Sequence, residues 1–123
     1  MRQTARNIFI SACSLAILVG AFMLTAAPSA IAASAVEKGK SVAVNRKKGN
    51  CLACHAMDDG TLPGNIGPPL ISMKLRFPDK AVLRAQIWDS TVNNPNSIMI
   101  PFGRNGVLSE AEIDQIVEYV YTL

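Results

Sequence analysis

The chain has 123 residues, with 12 Lys and Arg side chains against 9 Asp and Glu and a net charge of +3. This length is enough for one small domain, and residues 33–123 keep a nearly balanced ten basic and nine acidic side chains. We see no long basic run beyond residues 46–48, so the composition argues against nucleic-acid binding. We interpret those three residues as a solvated helix face, which could also steer an acidic partner.

Residues 1–32 have the order of a secretory signal peptide. The start is basic and contains no acidic residue, an apolar run follows, and Ala30 and Ala32 form an A-x-A cleavage site. The sequence therefore predicts Sec-type export with cleavage after Ala32, or after Ala35, where the same pattern repeats. The remaining residues 33–123 form the predicted domain.

The leader has two other possible interpretations. Residues 8–27 contain no charged residue, and this stretch is long enough for a retained membrane anchor. The stretch Ile10-Ser11-Ala12-Cys13 also resembles a lipoprotein cleavage motif. We disfavour that motif because only about four apolar residues precede it, well short of a normal apolar core.

The elements after the leader indicate an all-α domain with helices at both ends. Ser34 and Glu37 have capping-box spacing for a first helix that Gly49 would end, and Gly39 is either a close approach to another helix or merely tolerated. A middle helix is expected to start with Pro78 in its first turn, next to Asp79. Its expected buried side chains are Leu83, Ile87 and Trp88.

The last helix has the strongest local pattern. Ser109 and Glu112 form a second capping box. The apolar stripe that follows consists of Ile113, Ile116, Val117 and Val120. We find no alternating strand pattern, and the long Gly- and Pro-rich loops suit a domain that wraps a bulky ligand.

The motif Cys51-Leu-Ala-Cys54-His55 has three possible chemistries. A redox dithiol usually accompanies a βαβ pattern, which is missing here. A zinc site needs four protein ligands, and only two Cys and one His remain after the leader. The spacing C-x-x-C-H is typical of c-type haem attachment, in which two thiols add to two vinyl groups and the imidazole binds the iron.

A second axial ligand is expected on the opposite side of the iron, and Met is a common choice. Met57 follows His55 too closely to reach that side, and Met73 suits core packing in a short helix. Met99 lies 44 residues after His55 in a Pro-flanked loop and is the preferred ligand, ahead of Met73 and of an open or water-bound site. The carbonyl of Pro68 is the expected acceptor for the other ring N–H of His55.

The stretches "VEKGK", "CLACH" and "GPPL", followed by a Met loop and a terminal helix, resemble a small class I cytochrome c. A narrower resemblance is to the SoxX family, the monohaem cytochrome subunit of the bacterial Sox sulfur-oxidising system. It rests on "KKGNCLACHAM", "PGNIGPPL", "RFPDKAVLRAQIWD", "NPNSIMIPFG" and "LSEAEIDQIVEYV". That family usually has Met-Pro-Pro-Phe-Gly in the distal loop, whereas Ile100 follows Met99 here.

The SoxX resemblance implies a heterodimer with a SoxA-like c-type cytochrome in the periplasm. The pair would act as an L-cysteine S-thiosulfotransferase that joins thiosulfate to a cysteine of the SoxYZ carrier. This chain would be its electron-transfer subunit, without catalytic residues of its own, and would pass electrons to a small cytochrome c. Cys51 and Cys54 would hold one haem c, and His55 and Met99 would ligate its iron. The alternatives are a free-standing periplasmic electron carrier and a haem-free metal or dithiol module.

Overall fold

The computed structural model describes residues 28–58 and 60–123. The leader predicted for residues 1–32 therefore lies mostly outside the described residues, as does Cys13. The described part contains α1 (Pro28–Val44), a short 3-10 helix (Cys51–Ala53), α2 (Met73–Arg76), α3 (Lys80–Trp88) and α4 (Glu110–Val120), and no strand. The all-α prediction is confirmed.

The two terminal helices α1 and α4 pack closely against each other, and Gly39 is the point of approach. A Cβ on Gly39 would overlap the backbone carbonyl of Gln115 in α4 and would lie 2.9 Å from the Cβ of Tyr119. Gly39 is itself buried. The close-approach interpretation of this glycine is therefore confirmed.

The predicted start of α4 is confirmed in detail. The Ser109 hydroxyl accepts a hydrogen bond from the backbone N–H of Glu112 at 3.3 Å, and the Glu112 carboxylate accepts from the backbone N–H of Ser109 at 3.0 Å. Lys48 also forms an ion pair with Glu112. The hydrogen bonds from Lys48 and Ser109 lower the pKa of Glu112 to about 2. The predicted apolar stripe is buried as expected: Ile113, Ile116, Val117 and Val120.

The predicted bounds of α1 were wrong at both ends. Helix α1 begins at Pro28 and runs through Ser34, so Ser34 lies inside the helix and caps nothing. Ala30, Ala32 and Ala33, just upstream of Ser34, have the highest helix propensity, and the helix already includes them. The helix ends at Val44, so Arg46, Lys47 and Lys48 lie in the turn that follows and not on a helix face.

Helix α3 starts later than the Pro78 prediction. Asp79 is its N-cap and accepts a hydrogen bond from the N–H of Ala81 at 2.8 Å, which places Pro78 outside the helix. Leu83 and Ile87 are buried as predicted.

Trp88 is only half-buried, contrary to the prediction. The guanidinium of Arg84, one turn earlier on the same helix, lies 5.5 Å from the centre of the indole ring. This cation covers one part of the ring while leaving it partly in water, as cations above aromatic faces do. Gly103 packs against the ring as well, because a Cβ on Gly103 would overlap it.

The core lies between the terminal helices, α2 and α3, and it includes two of the three methionines that follow the leader. The buried apolar side chains are Ala43, Met57, Met73, Leu83, Ile87, Phe102, Leu108, Ile113, Ile116, Val117, Tyr119 and Val120.

Among the described residues, none of the helices has the length and apolarity needed to cross a bilayer.

Candidate haem site

The two cysteines of the motif lie on one 3-10 turn that starts from an unusual backbone conformation. Asn50 precedes the turn with φ of 46°, a left-handed conformation that Asn tolerates better than most residues. The carbonyl of Cys51 accepts hydrogen bonds from the N–H groups of Cys54 at 3.1 Å and His55 at 2.9 Å. Both cysteines are free and half-buried, so the backbone presents two thiols and an imidazole from a single turn.

The environment of Cys51 does not suit the attacking thiol of a redox dithiol. Burial raises the pKa of the Cys51 thiol to about 11. Disulfide oxidoreductases need a thiolate with a lowered pKa, because the thiolate is the attacking species. A neutral thiol of this kind instead suits a structural anchor.

The ring of His55 is held from the side of Nδ1. The carbonyl of Pro68 lies 2.7 Å from Nδ1, and a carbonyl can only accept, so Nδ1 carries the proton. Nε2 is then the nitrogen with a free lone pair, as a metal-binding imidazole requires. The predicted Pro68 acceptor is confirmed.

The backbone on both sides of Pro68 is hydrogen-bonded to the chain around His55. The N–H of Gly67 donates to the carbonyl of Cys54 at 2.8 Å, and the N–H of Leu70 donates to the carbonyl of Ala56 at 2.8 Å. A Cβ on Gly67 would overlap the His55 ring, so only glycine allows this approach. The sequence showed a Gly-Pro-Pro turn here but gave no signal that Gly67 lies against the imidazole.

The three methionines after the leader have different surroundings. Met57 is 4% exposed and Met73 is 1% exposed, and both belong to the core. The sulfur of Met73 lies 3.4 Å from Nη1 of Arg76, which donates to it. Met99 is half-buried in the loop between α3 and α4 and packs against the edge of the core. Core packing of Met73 therefore agrees with its expected role, and Met99 stays the predicted iron ligand.

Two serines hold the backbone of Met99. The Ser90 hydroxyl donates to the carbonyl of Met99 at 3.0 Å, and the N–H of Met99 donates to the Ser97 hydroxyl at 3.3 Å. The two hydroxyl oxygens lie 2.9 Å apart. Sequence reasoning missed both serines, because nothing in their spacing distinguishes them from ordinary loop residues.

The segment after Met99 is attached to the end of α3 as well. The N–H of Gly103 donates to the carbonyl of Trp88 at 3.1 Å, and Arg104 forms an ion pair with Asp89 at 2.9 Å. The hydrogen bonds from Thr91, together with Arg104, lower the pKa of Asp89. The chain before Met99 and the chain after it are therefore both bonded to residues 88–90.

The fold and the geometry of the motif can be compared with known proteins. The family model described as cytochrome c oxidase, cbb3-type, subunit III, matches residues 34–120. The chain belongs to this family of c-type cytochromes. The predicted small class I cytochrome c fold is confirmed, and so is an electron-transfer function with covalently bound haem c.

The donor set of the cytochrome fits a haem c. Two free thiols on one turn, an imidazole with its Nε2 lone pair available and a half-buried thioether provide the groups that covalent attachment and axial ligation need. Within residues 28–58 and 60–123, no group of three or more His, Cys, Asp and Glu side chains is placed to hold a metal ion. A zinc site, the alternative considered above, finds no such donor cluster in that part of the chain.

The cytochrome also has a curated relative. An uncharacterized lipoprotein of Aquifex aeolicus (strain VF5) is 38% identical over 76 residues, which are 61% of this chain and 37% of the relative. The aligned part thus makes up little more than a third of the relative's length.

Proposed function

We propose that this cytochrome is the electron-accepting subunit of a periplasmic SoxAX-type complex, in which it pairs with a SoxA-like c-type cytochrome. Such a complex joins thiosulfate to a cysteine of the SoxYZ carrier, acting as an L-cysteine S-thiosulfotransferase. Forming the new S–S bond from a thiol and thiosulfate releases two electrons and a proton. This chain accepts those electrons and passes them to a small cytochrome c, and it contributes no catalytic residue to the sulfur chemistry.

In this proposal Cys51 and Cys54 would hold one haem c through thioethers, and His55 Nε2 and Met99 Sδ would bind its iron. The haem supplies one-electron redox chemistry when bound. Pro68 keeps the proton of His55 on Nδ1, which orients the ring and leaves the Nε2 lone pair for the iron. With both axial positions occupied by side chains, the site is suited to electron transfer and not to binding a sulfur substrate.

The exposed apolar side chains beside Met99 are the observation that favours a subunit over a free carrier. Ile98 is 77% exposed and Ile100 is 50% exposed, one on each side of Met99. Exposed apolar patches on soluble domains mark surfaces that a partner or ligand covers. A haem can cover part of this apolar surface, and a permanent protein partner is the group that covers the rest.

Export to the periplasm is part of the proposal. It is supported by the signal-like order of residues 1–32 and by a relative named as a lipoprotein. Cleavage after Ala32 or Ala35 releases the domain, whereas lipid attachment at Cys13 would keep it on a membrane.

A pull-down with matched variants tests the partner. Mature haem-loaded protein serves as bait in periplasmic extract from its own source grown on thiosulfate, and bound proteins are identified by mass spectrometry. The baits are the native protein, Ile98→Lys, and Val82→Lys, which changes an equally apolar side chain that is 50% exposed on α3. We expect the native protein and Val82→Lys to recover a larger c-type cytochrome in a fixed ratio, and Ile98→Lys to lose it.

The subunit proposal would be contradicted if the native protein recovers no stable partner although its haem can still be reduced and reoxidised. The cytochrome would then be a diffusing electron carrier. If Ile98→Lys recovers as much of the partner as the native protein does, the apolar side chains beside Met99 are not part of the interface.

A further inference from the structure

The backbone of Met99 belongs to a closed ring of hydrogen bonds with two serines. Ser90 is 0% exposed and follows Asp89, the C-cap of α3. Its single hydroxyl proton is used by the bond to the Met99 carbonyl at 3.0 Å. The contact between the two hydroxyls at 2.9 Å is then a bond in which Ser97 donates and Ser90 accepts.

This assignment of protons satisfies every polar group of the ring. Ser97 donates to Ser90, Ser90 donates to the Met99 carbonyl, and the Met99 N–H donates back to Ser97 at 3.3 Å. Both backbone groups of Met99 are therefore fixed by hydroxyls, and one of those hydroxyls is fully buried at the end of a helix. The position of the Met99 backbone is tied to α3 and not only to its own loop.

Ile100, and not a proline, follows Met99, so the ring of hydrogen bonds supplies the constraint on this backbone. A proline there would restrict the backbone next to Met99 through its fixed φ and through its effect on the preceding residue. With Ile100 in that place, the hydrogen bond that Ser90 donates to the Met99 carbonyl and the one that Ser97 accepts from the Met99 N–H restrict the Met99 backbone directly.

We propose that Ser90 is a positioning residue that holds Met99 in place as the axial ligand of the haem iron. The proposal rests on the ligand role given to Met99 above. It predicts that loss of the Ser90 hydroxyl leaves covalent attachment intact but makes Met99 easier to displace from the iron. Ser90 touches neither iron nor porphyrin in this proposal, and it acts only through Met99.

The test is a titration of ferric, haem-loaded protein with imidazole, which competes with the axial thioether. The variants are Ser90→Ala, Ser90→Thr and Met99→Ala, with Asn93→Ala as the control. Asn93 lies in the same loop, is exposed, and bonds to Gln86 and not to the ring. The far-red absorption band of thioether-bound ferric haem and the thermal unfolding midpoint are recorded for each protein.

We expect Ser90→Ala to bind imidazole about fivefold to tenfold more tightly than the native protein, the effect of losing one buried hydrogen bond. Its far-red band weakens, Ser90→Thr restores both readouts, and Asn93→Ala matches the native protein. Met99→Ala sets the upper limit of imidazole affinity. A purely structural role for Ser90 would lower the unfolding midpoint without changing the band or the affinity at temperatures where the protein is folded.

Two results would overturn the inference, and they are distinguishable. If Met99→Ala gains imidazole affinity and Ser90→Ala does not, Met99 is the ligand and Ser90 does not position it. If Met99→Ala changes neither the band nor the affinity, the ligand assignment itself fails, and the role of Ser90 fails with it. Neither result depends on the pull-down that tests the protein partner.

Discussion

Gly67 lies so close to His55 that a single added carbon would overlap the imidazole ring. The same segment provides the Pro68 carbonyl that binds His55 Nδ1 at 2.7 Å. One turn of chain therefore sets both how near the ring lies and how it is rotated. The orientation of the His55 ring is therefore decided by backbone atoms of this turn.

Gly67→Ala is expected to displace the His55 ring or the turn that faces it. Overpacking of this kind costs about 1–3 kcal/mol of stability. We expect a lower unfolding midpoint and an altered visible spectrum in haem-loaded protein. Gly106→Asn is the matched control, because Gly106 has φ of 64° with open space around it and Asn tolerates that conformation. If Gly67→Ala keeps the native spectrum and unfolding midpoint, the added Cβ is accommodated without displacing the His55 ring, and the prediction is wrong.

Gly39→Ala is expected to separate α1 from α4. The new Cβ would meet the backbone of Gln115, which cannot move aside as a flexible side chain can. We expect a loss of about 1–3 kcal/mol in the free energy of unfolding, measured by guanidinium denaturation. Ser41→Ala changes an exposed position of the same helix and is expected to stay within about 0.5 kcal/mol of the native value. Equal stability of the two variants would contradict close packing at Gly39.

Glu112→Gln is expected to flatten the acid limb of the stability curve. The folded-state pKa of Glu112 is lowered to about 2 from a reference of 4.5. A lowered pKa means that the ionised carboxylate stabilises the fold above the reference value, and that this stabilisation is lost as the pH falls through about 2.

The measurement is the free energy of unfolding between about pH 5 and pH 2, compared for native protein and variant. Glu37→Gln removes the same charge from an exposed position in α1 and is the control. A slope in Glu112→Gln as steep as in the native protein would mean that other carboxylates carry the acid sensitivity.

Met99→Ala is expected to keep the covalent haem and lose the distal ligand. Exogenous imidazole or cyanide should then bind readily, and the far-red band should disappear. Met73→Leu is the control, because Met73 is 1% exposed in the core and its replacement conserves apolar volume. If Met73→Leu and not Met99→Ala opens the iron to exogenous ligands, the two methionines have been assigned the wrong way round.

Local patterns predicted the parts of the fold that local contacts decide. The Ser109 capping box and the stripe of α4 depend on residues three and four apart, so the sequence alone shows them. The Pro68 acceptor was also predictable, because a ligating imidazole needs a partner and a proline turn offers a carbonyl.

The missed features depend on contacts that form only in the folded chain. Ser34 has a capping pattern, but helical residues upstream of it override the pattern. The ring of Ser90, Ser97 and Met99 joins ordinary loop residues whose meeting is decided by the path of the chain after α3. The Trp88 error is different, because Arg84 lies only four residues earlier on the same helix and its contact with the ring is local; the apolar pattern alone did not take this cation into account.

The mass of the intact mature chain after denaturation tests haem attachment most directly. We predict the mass of residues 33–123, or 36–123, plus one haem, with the haem on the peptide that contains Cys51 and Cys54. Chain mass without haem, or haem on another peptide, would contradict covalent attachment at this motif. In the same spectrum, the mass of a lipid-bearing chain that starts at Cys13 would show that the protein is anchored as a lipoprotein and is not cleaved after Ala32.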